Sequence, residues 1–505
     1  MIHEVLSWAV QRRLSDIDQF RDHPHEAQAA VLRSLLHTAQ ATEWGRRYGY
    51  ADGLSAQEFA QRVPCATYEE LYPHIERVLQ GEADVLWPGK VQWFSKSSGT
   101  TNARSKYLPV TREALHDCHY RAGRDMTALA THLYPDERIL SGKTLSLGGT
   151  HGPNPFRPHD AESRVGDVSA VIMQNLPTWA EFIRTPPLEL ALLDEWEEKI
   201  ERIARHVQHV DVSILAGVPT WMIVLLRRVT ELAGAQYITE VWPNLRLFLH
   251  GAVAFGPYRD LFRQLIPDER MHYLEIYNAS EGYFALQDQP ESEDMLLLVD
   301  HGVYYEFIPA DQFDAEHPRT LTLEEVELGK NYALVISTNA GLWRYKIGDT
   351  VRFTSLAPYR IRISGRTKHF LNAFGEEVVI ENAEAAVAAA CQATRTTVRD
   401  FTAAPIYFDA SDQSRGGHQW VVEFTQPPHD PQAFSHVLDQ TLRQLNSDYD
   451  AKRHRDIALA PPLLTVAPAG TFERWLAGKG KLGGQHKVPR LSNSRELMEE
   501  LLRIL

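Results

Sequence analysis

Apolar and polar positions alternate at helical spacing through the first 85 residues. Residues 27–39 and 68–78 each return an apolar side chain every third or fourth position, so both predict helices that bury one face. From residue 91 to 353 the rhythm changes. Short β-branched or aromatic runs at 91–94, 271–276 and 333–337 predict strands, and stretches such as 188–209 predict the helices between them. That alternation predicts an α/β body built on a mostly parallel sheet. Past Ile363-Ser364-Gly365-Arg366-Thr367-Lys368 the pattern resets to an alanine-rich helix at 380–394, a strand at 417–425 and an amphipathic helix at 431–449. The expected organisation is a large domain over 1–363 and a small α+β domain over 364–505, of a size that can fold as a unit.

A chain of 505 residues exceeds what one hydrophobic core supports, which agrees with two domains. No run of about 18 apolar residues occurs, so no membrane span is expected. The N-terminus mixes charged and apolar residues and lacks a signal peptide's apolar centre and cleavage site, which makes the cytoplasm the expected compartment. Cys65, Cys118 and Cys391 are scattered without ligand spacing, which suits a reducing compartment and argues against zinc. His23 and His25 stand near Glu26, but no H-E-x-x-H is completed. A net charge of −14 disfavours nucleic acid and anionic membrane as partners. Against that background Arg104, Lys106, Arg344, Lys346, Arg366, Lys487 and Arg490 fall in or beside the polar motifs, the compensation that a site holding two anions needs.

The densest polar motif is Ser95-Lys96-Ser97-Ser98-Gly99-Thr100-Thr101-Asn102-Ala103-Arg104-Ser105-Lys106. Backbone N–H groups of a glycine-containing turn make an anion nest, hydroxyls add neutral donors, and Lys and Arg add charge, so the run can hold polyphosphate. It is not a Walker A loop. The nearest imitation, Ser141-Gly142-Lys143-Thr144, has Glu137 where the first glycine belongs. Ser/Thr/Gly clusters also make plain surface turns, and composition alone leaves the two readings open. Two later segments, Tyr277-Asn278-Ala279-Ser280-Glu281-Gly282 and Leu342-Trp343-Arg344-Tyr345-Lys346-Ile347-Gly348-Asp349, each follow a predicted strand and carry one carboxylate to its exit. Open α/β sheets keep their ligand chemistry at such exits.

In this order the three segments resemble the signature motifs of acyl-adenylate-forming enzymes, and specifically the Gretchen Hagen family of acyl-acid amido synthetases in its compact bacterial branch. The stretches "ATEWGRRYGY", "FAQRVPCATYEELYPHIERVLQGEADVLWPGKVQWFSKSSGTT", "LAGVPTWM", "LFLHGAVAFGPYR" and "GTFERWLAGKGKLGGQHKVPR" extend the resemblance over nearly the whole chain. Ala103 stands where the family has a second glycine, and Lys346 where it has arginine. Alanine keeps the turn only at negative φ, and lysine keeps the charge without the bidentate fork.

The resemblance implies a large adenylate-forming domain and a mobile lid that turns about a hinge near 365–368, with Lys368 at the hinge position. It implies ATP and Mg²⁺, a carboxylic acid and an amino acid. The acid would be converted to acyl-AMP with loss of pyrophosphate, then passed to the amine with loss of AMP. Ser97, Ser98, Gly99, Thr100 and Thr101 would hold the β- and γ-phosphates, with Lys106 steering them. Glu281 would bind magnesium, Asp349 the ribose diol, Tyr277 and Ser280 would lie beside the nucleotide with Tyr277 stacking on adenine, and Arg366 would complete the nucleotide site. Lys487 would be the lid's adenylation lysine. Trp221, His250, Val253 and Phe255 come from segments whose family counterparts face the acid. Structural alternatives for these residues are a core aromatic at Tyr277, a structural hydrogen-bonder at His250, and solvated lysines at Lys368 and Lys487. Two other functions are compatible with the residues, an acyl-CoA ligase of the same superfamily and an adenylate-binding protein without turnover. The "GKLGGQHKVPR" ending speaks against the first and the intact Glu281, Asp349 and Lys487 against the second.

Overall fold

The computed structural model describes residues 2–97, 106–290, 292–313, 315–367, 370–408, 416–453, 459–479 and 488–505. The helices expected near the N-terminus form at Pro24–Ala39, which starts on proline, and at Tyr68–Leu79, whose Thr67 and Glu70 make a reciprocal capping box. Behind them stands an eleven-stranded sheet. Its edge strands are Val303–Pro309 and Arg184–Thr185.

Strand direction changes along this sheet. Strands Arg184–Thr185, Lys143–Ser146, Val212–Gly217, Leu247–His250 and His272–Ala279 run parallel, joined by crossovers that carry helices such as Trp196–Val207, Pro219–Ala233 and Arg259–Leu265. From His272–Ala279 onward every pairing in the sheet is antiparallel, so the sheet is mixed where the hydrophobic rhythm led us to expect mostly parallel strands. After residue 279 most connections, such as 280–281 and 357–358, are turns too short to carry a crossover helix, and the longer stretch 310–330 carries only the short 3-10 turn Ala310–Gln312 among its described residues. A four-stranded sheet containing Trp93–Ser97 and Lys106–Val110 leans on this body, and a three-stranded sheet, Thr397–Ile406, Gly417–Gln426 and Leu463–Ala467, forms the C-terminal unit.

Two expected helices are broken. The stretch 188–209 forms Leu188–Ala191 and Trp196–Val207, the second capped by Glu195 accepting from the backbone of Glu197 and Glu198. The stretch 431–449 stops at Leu445 and restarts as Ser447–Arg453. Asn446 makes that break: its Oδ1 accepts from the N–H of Asp448 and Tyr449, and its Nδ2 donates to the carbonyls of Glu376 and Glu377. The helix at Ile380–Thr394 forms with the expected bounds.

One apolar cluster joins the N-terminal helices to the antiparallel half of the sheet. A second runs without interruption from the parallel strands and their helices into Leu371, Phe374, Val387, Trp420, Leu438 and Leu491. The C-terminal unit is thus docked on the parallel half of the body.

Candidate active site

The strands His272–Ala279 and Gly282–Gln287 pair so that Ala279 faces Gly282, which leaves Ser280 and Glu281 as the two residues of a tight turn. Glu281 therefore stands at a hairpin tip, at the strand exit where alternation placed it. Ser95 Oγ donates to the Ser280 carbonyl at 3.2 Å, tying the first polar motif to that tip. Ser97 ends its strand opposite Lys106, which begins the return strand. Ser98, Gly99, Thr100 and Thr101 lie outside the described residues, as do Lys368 and Lys487.

Lys106 is buried between the rings of Tyr68 and Tyr345, 5.6 Å and 5.9 Å from their centroids. Its ammonium donates to the Tyr345 hydroxyl at 3.3 Å, and that hydroxyl donates to Glu281 Oε1 at 3.4 Å. Burial pushes the Glu281 carboxyl up to about 6, with the Asp349 charge adding to the effect and Lys106 and Arg366 opposing it. Among the described residues no cation lies within ion-pair distance of Glu281. A desolvated carboxylate with no ion-pair partner among the described residues fits a hard divalent ion that prefers oxygen ligands.

Asp349 is displaced from its expected place. It lies inside the strand Tyr345–Leu356 and not at a strand exit. Ala333 pairs with Thr350 while Val335 pairs with Lys346, so residues 347–349 bulge from the ladder, with Gly348 at φ 93° making the turn that a Cβ would resist. The bulge turns the Asp349 carboxylate toward Tyr277, whose hydroxyl donates to Oδ2 at 2.6 Å, and toward Arg366, whose Nε donates to Oδ1 at 2.7 Å. Arg366 also reaches Glu377 at 3.4 Å and lies over the Phe370 ring. Tyr277 does not offer its ring as an adenine platform. The ring is buried edge-on against Phe284 at 5.0 Å, and burial together with the Asp349 charge pushes its hydroxyl well up, which keeps it a donor.

Arg344 is a second correction. Its backbone takes φ 43°, its guanidinium grips both oxygens of Glu306 at 2.8 Å, and it also donates to the carbonyls of Ala60 and Val63, so it fastens the N-terminal helices and compensates no substrate charge. Arg490 likewise turns to Asp400 at 3.0 Å and to the Phe401 ring.

The proposed acid-facing residues gather where the parallel strands end. Register places Ser146, Gly217 and His250 at the carboxyl ends of neighbouring strands. His250 is 3% exposed and stacked on Phe255 at 3.9 Å, and burial lowers its imidazole to about 3, so it is neutral. Its Nδ1 has no hydrogen-bond partner among the described residues. Val253 and Phe255 are buried in the same cluster. Trp221 stands at the junction with the C-terminal unit, edge-on to Trp196 at 5.1 Å and 4.3 Å beneath the Lys452 ammonium.

Two residues here escaped sequence reasoning. Lys199 is buried, donates to the carbonyls of Gly148 and Gly149 at 2.8 Å and 3.0 Å, and is lowered to about 8 by burial. Its position four residues before Ile203, on the apolar face of its helix, was the available signal. Glu275, opposite His250 in the strand register, is raised to about 7 by burial.

The chain matches the GH3 family N-terminal domain over residues 13–271, the GH3 family central domain over 296–366 and the GH3 family C-terminal domain over 381–496. It belongs to the GH3 family. Indole-3-acetic acid-amido synthetase GH3.3 of Arabidopsis thaliana is 24% identical over 97% of this chain and 93% of its own length. Among solved structures, the AtGH3.15 acyl acid amido synthetase in complex with 2,4-DB superposes with a TM-score of 0.62 at 17% identity, covering 98% of this GH3 chain and 96% of that one. A 2-hydroxyisobutyryl-CoA ligase in complex with 2-HIB-AMP and CoA gives 0.59 at 14% identity, covering 95% and 92%. The common feature is the fold, a mixed α/β body with a separate C-terminal domain. Among the described residues no helix is long and apolar enough to cross a membrane.

Proposed function

We propose that this GH3 chain is an ATP-dependent acyl-acid amido synthetase that works through an acyl adenylate. The observation that carries the reading is the convergence of Glu281, Lys106 and Asp349, from three separate motifs, through Tyr345, Tyr277 and Arg366. A carboxylate oxygen of the acid attacks the α-phosphorus of ATP, and the bond to the pyrophosphate oxygen breaks. The amine of an amino acid then attacks the acyl carbon, and the bond to AMP breaks. Both reactants of the first step are anions, so the protein's work is positioning and charge neutralisation.

Each part has a residue. The loop that closes between Ser97 and Lys106 receives the β- and γ-phosphates, Ser98, Gly99, Thr100 and Thr101 supplying donors. Asp349, oriented by Tyr277 and Arg366, accepts from the ribose hydroxyls with its remaining lone pairs. Magnesium, held by Glu281, would supply charge neutralisation at the phosphate oxygens. His250, Val253 and Phe255 form one wall of an apolar acid pocket, and Ser280 borders the nucleotide. The neutral imidazole of His250 carries an unused polar atom to a polar group of the acid. The lid comprises residues beyond 363, with its hinge at 365–368 and Lys368 within it, and it brings Lys487 to the α-phosphate. The cytoplasm is the compartment where ATP and free amino acids are both plentiful.

The second reading, an acyl-CoA ligase, draws on the fold likeness to the CoA ligase above. A screen of aryl and alkyl acids for ATP–pyrophosphate exchange finds the acid. Supplying each of twenty amino acids, and separately CoA, then separates the readings: amide and AMP are expected with an amino acid, and a thioester formed with CoA alone overturns the proposal.

A further inference from the structure

Among the described residues Lys452, on the helix Ser447–Arg453, is a buried cation without an anion. It is 8% exposed, and its ammonium faces the Trp221 ring at 4.3 Å. Among the described residues nothing accepts a hydrogen bond from it and no carboxylate pairs with it. Among the described residues Lys106 also lacks an anion but donates to the Tyr345 hydroxyl, and three further buried cations are engaged by oxygen acceptors. Arg453, the next residue, holds both oxygens of Asp439 at 2.7 Å, Lys199 has two carbonyls, and Arg344 has Glu306. An ammonium taken out of water needs a paired charge or acceptors, and an aromatic face offsets only part of that cost.

The ammonium's position gives its lack of a protein partner a meaning. Lys452 belongs to the C-terminal unit and Trp221 to the body, in the segment that follows the end of strand Val212–Gly217. The tip of Lys452 also borders Gly375, where an added Cβ would stand 3.9 Å from its Nζ. That glycine lies in the loop 372–377, which is fastened to both halves of the candidate site. Asn372 Nδ2 donates to the Ala252 carbonyl at 3.1 Å and the Tyr258 hydroxyl donates to the Ala373 carbonyl at 2.5 Å, while Glu377 meets Arg366, which meets Asp349. The carboxylates of this loop are occupied. Glu376 accepts from the N–H of Ala373 and Phe374 and pairs with His418, and Glu377 has Arg366.

We propose that Lys452, over Trp221, receives the α-carboxylate of the acceptor amino acid. The inference rests on the amido synthetase reading. Of the anionic groups in that reaction, the phosphates belong to the Glu281 and Asp349 side, and the carboxylate of the acid is consumed in the adenylate. The acceptor's carboxylate is the one left without a cation. Held by Lys452, it fixes the amine one carbon away and gives the ammonium its missing partner. Because Lys452 and Trp221 come from different units, the subsite exists only while the C-terminal unit is docked with Lys452 over Trp221.

The test compares the amino acid that passes the acceptor screen with its own α-carboxamide, using the acid found by pyrophosphate exchange. Wild-type protein should prefer the amino acid over the carboxamide by about 10- to 100-fold in kcat/KM, the range expected for one charge-assisted hydrogen bond. Lys452→Met should raise KM for the amino acid by a similar factor, erase the preference, and leave KM for ATP and for the acid in place. Lys452→Arg should restore the preference. Equal use of amino acid and carboxamide by wild type overturns the inference without any variant. A fall of pyrophosphate exchange in Lys452→Met, with acceptor KM unmoved, assigns the ammonium to the adenylate phosphate and also overturns it. No amide from any amino acid, with exchange intact, overturns the amido synthetase reading itself.

Discussion

Replacing Glu281 by glutamine should stabilise the free protein and weaken the working one. The carboxyl is raised from 4.5 to about 6, and at about 1.4 kcal/mol per pH unit this puts the cost of keeping it ionised at about 2 kcal/mol. The sign follows from linkage. A group whose folded pKa lies above its unfolded value favours folding while protonated, so its contribution is full below pH 4.5 and is lost as pH rises through about 6. Glutamine mimics the protonated form at every pH and can still accept from Tyr345. Urea denaturation without nucleotide or metal should therefore find Glu281→Gln more stable than wild type by about 2 kcal/mol at pH 7.5, and by less than about 1 kcal/mol at pH 5. Adding MgATP should reverse the order, because only the carboxylate can be offset by a bound cation. A variant no more stable than wild type at pH 7.5, or a gain that does not shrink at pH 5, would refute the claim that Glu281 is a desolvated charge waiting for a partner.

Asp349→Asn should weaken ATP binding by about 1.5–3 kcal/mol, the range for a hydrogen bond to a charged group, and calorimetry with unchanged affinity would remove Asp349 from the site. Arg344→Met should cost about 3–5 kcal/mol of stability, since it leaves Glu306 buried without its cation, while ATP affinity of the folded fraction stays put; lost affinity at intact stability would return Arg344 to the nucleotide site. Lys487→Ala should reduce acid-dependent pyrophosphate exchange by about two orders of magnitude or more. Given pre-formed acyl adenylate and the acceptor, the same variant should still release amide, and equal loss of both steps would contradict a lid that serves them in turn.

What the linear pattern revealed was local. The strand leading to Glu281 was legible as the apolar run 271–276 and the helix after Thr67 as apolar spacing over 68–78, while the return strand Gly282–Gln287 that makes Glu281 a hairpin tip came only with the fold. Asp349 was recognisable as a ligand candidate but not as a bulge residue, because the bulge depends on how residues 346–350 register against 333–335. Arg344 sits two residues before Lys346 in the same motif, and only the fold reveals that its guanidinium points away to Glu306. Tyr277 meets Asp349 with its hydroxyl and not with a ring face, a choice set by Phe284 packing against the ring. Lys452 had no signal at all. A lysine in a short helix reads as solvated, and its missing anion becomes visible only when Trp221 of the body closes over it.

What most needs testing is that Glu281, Lys106 and Asp349 form one site for activating a carboxylic acid with ATP. Acid-dependent exchange of labelled pyrophosphate into ATP tests it most directly, because exchange needs reversible adenylation and neither the acceptor nor AMP release. Exchange should require the acid and Mg²⁺, proceed without amino acid or CoA, and fall at least about 100-fold in Asp349→Asn or Glu281→Gln. Exchange that is absent across aryl and alkyl acids, or that persists at full rate in both variants, would contradict it.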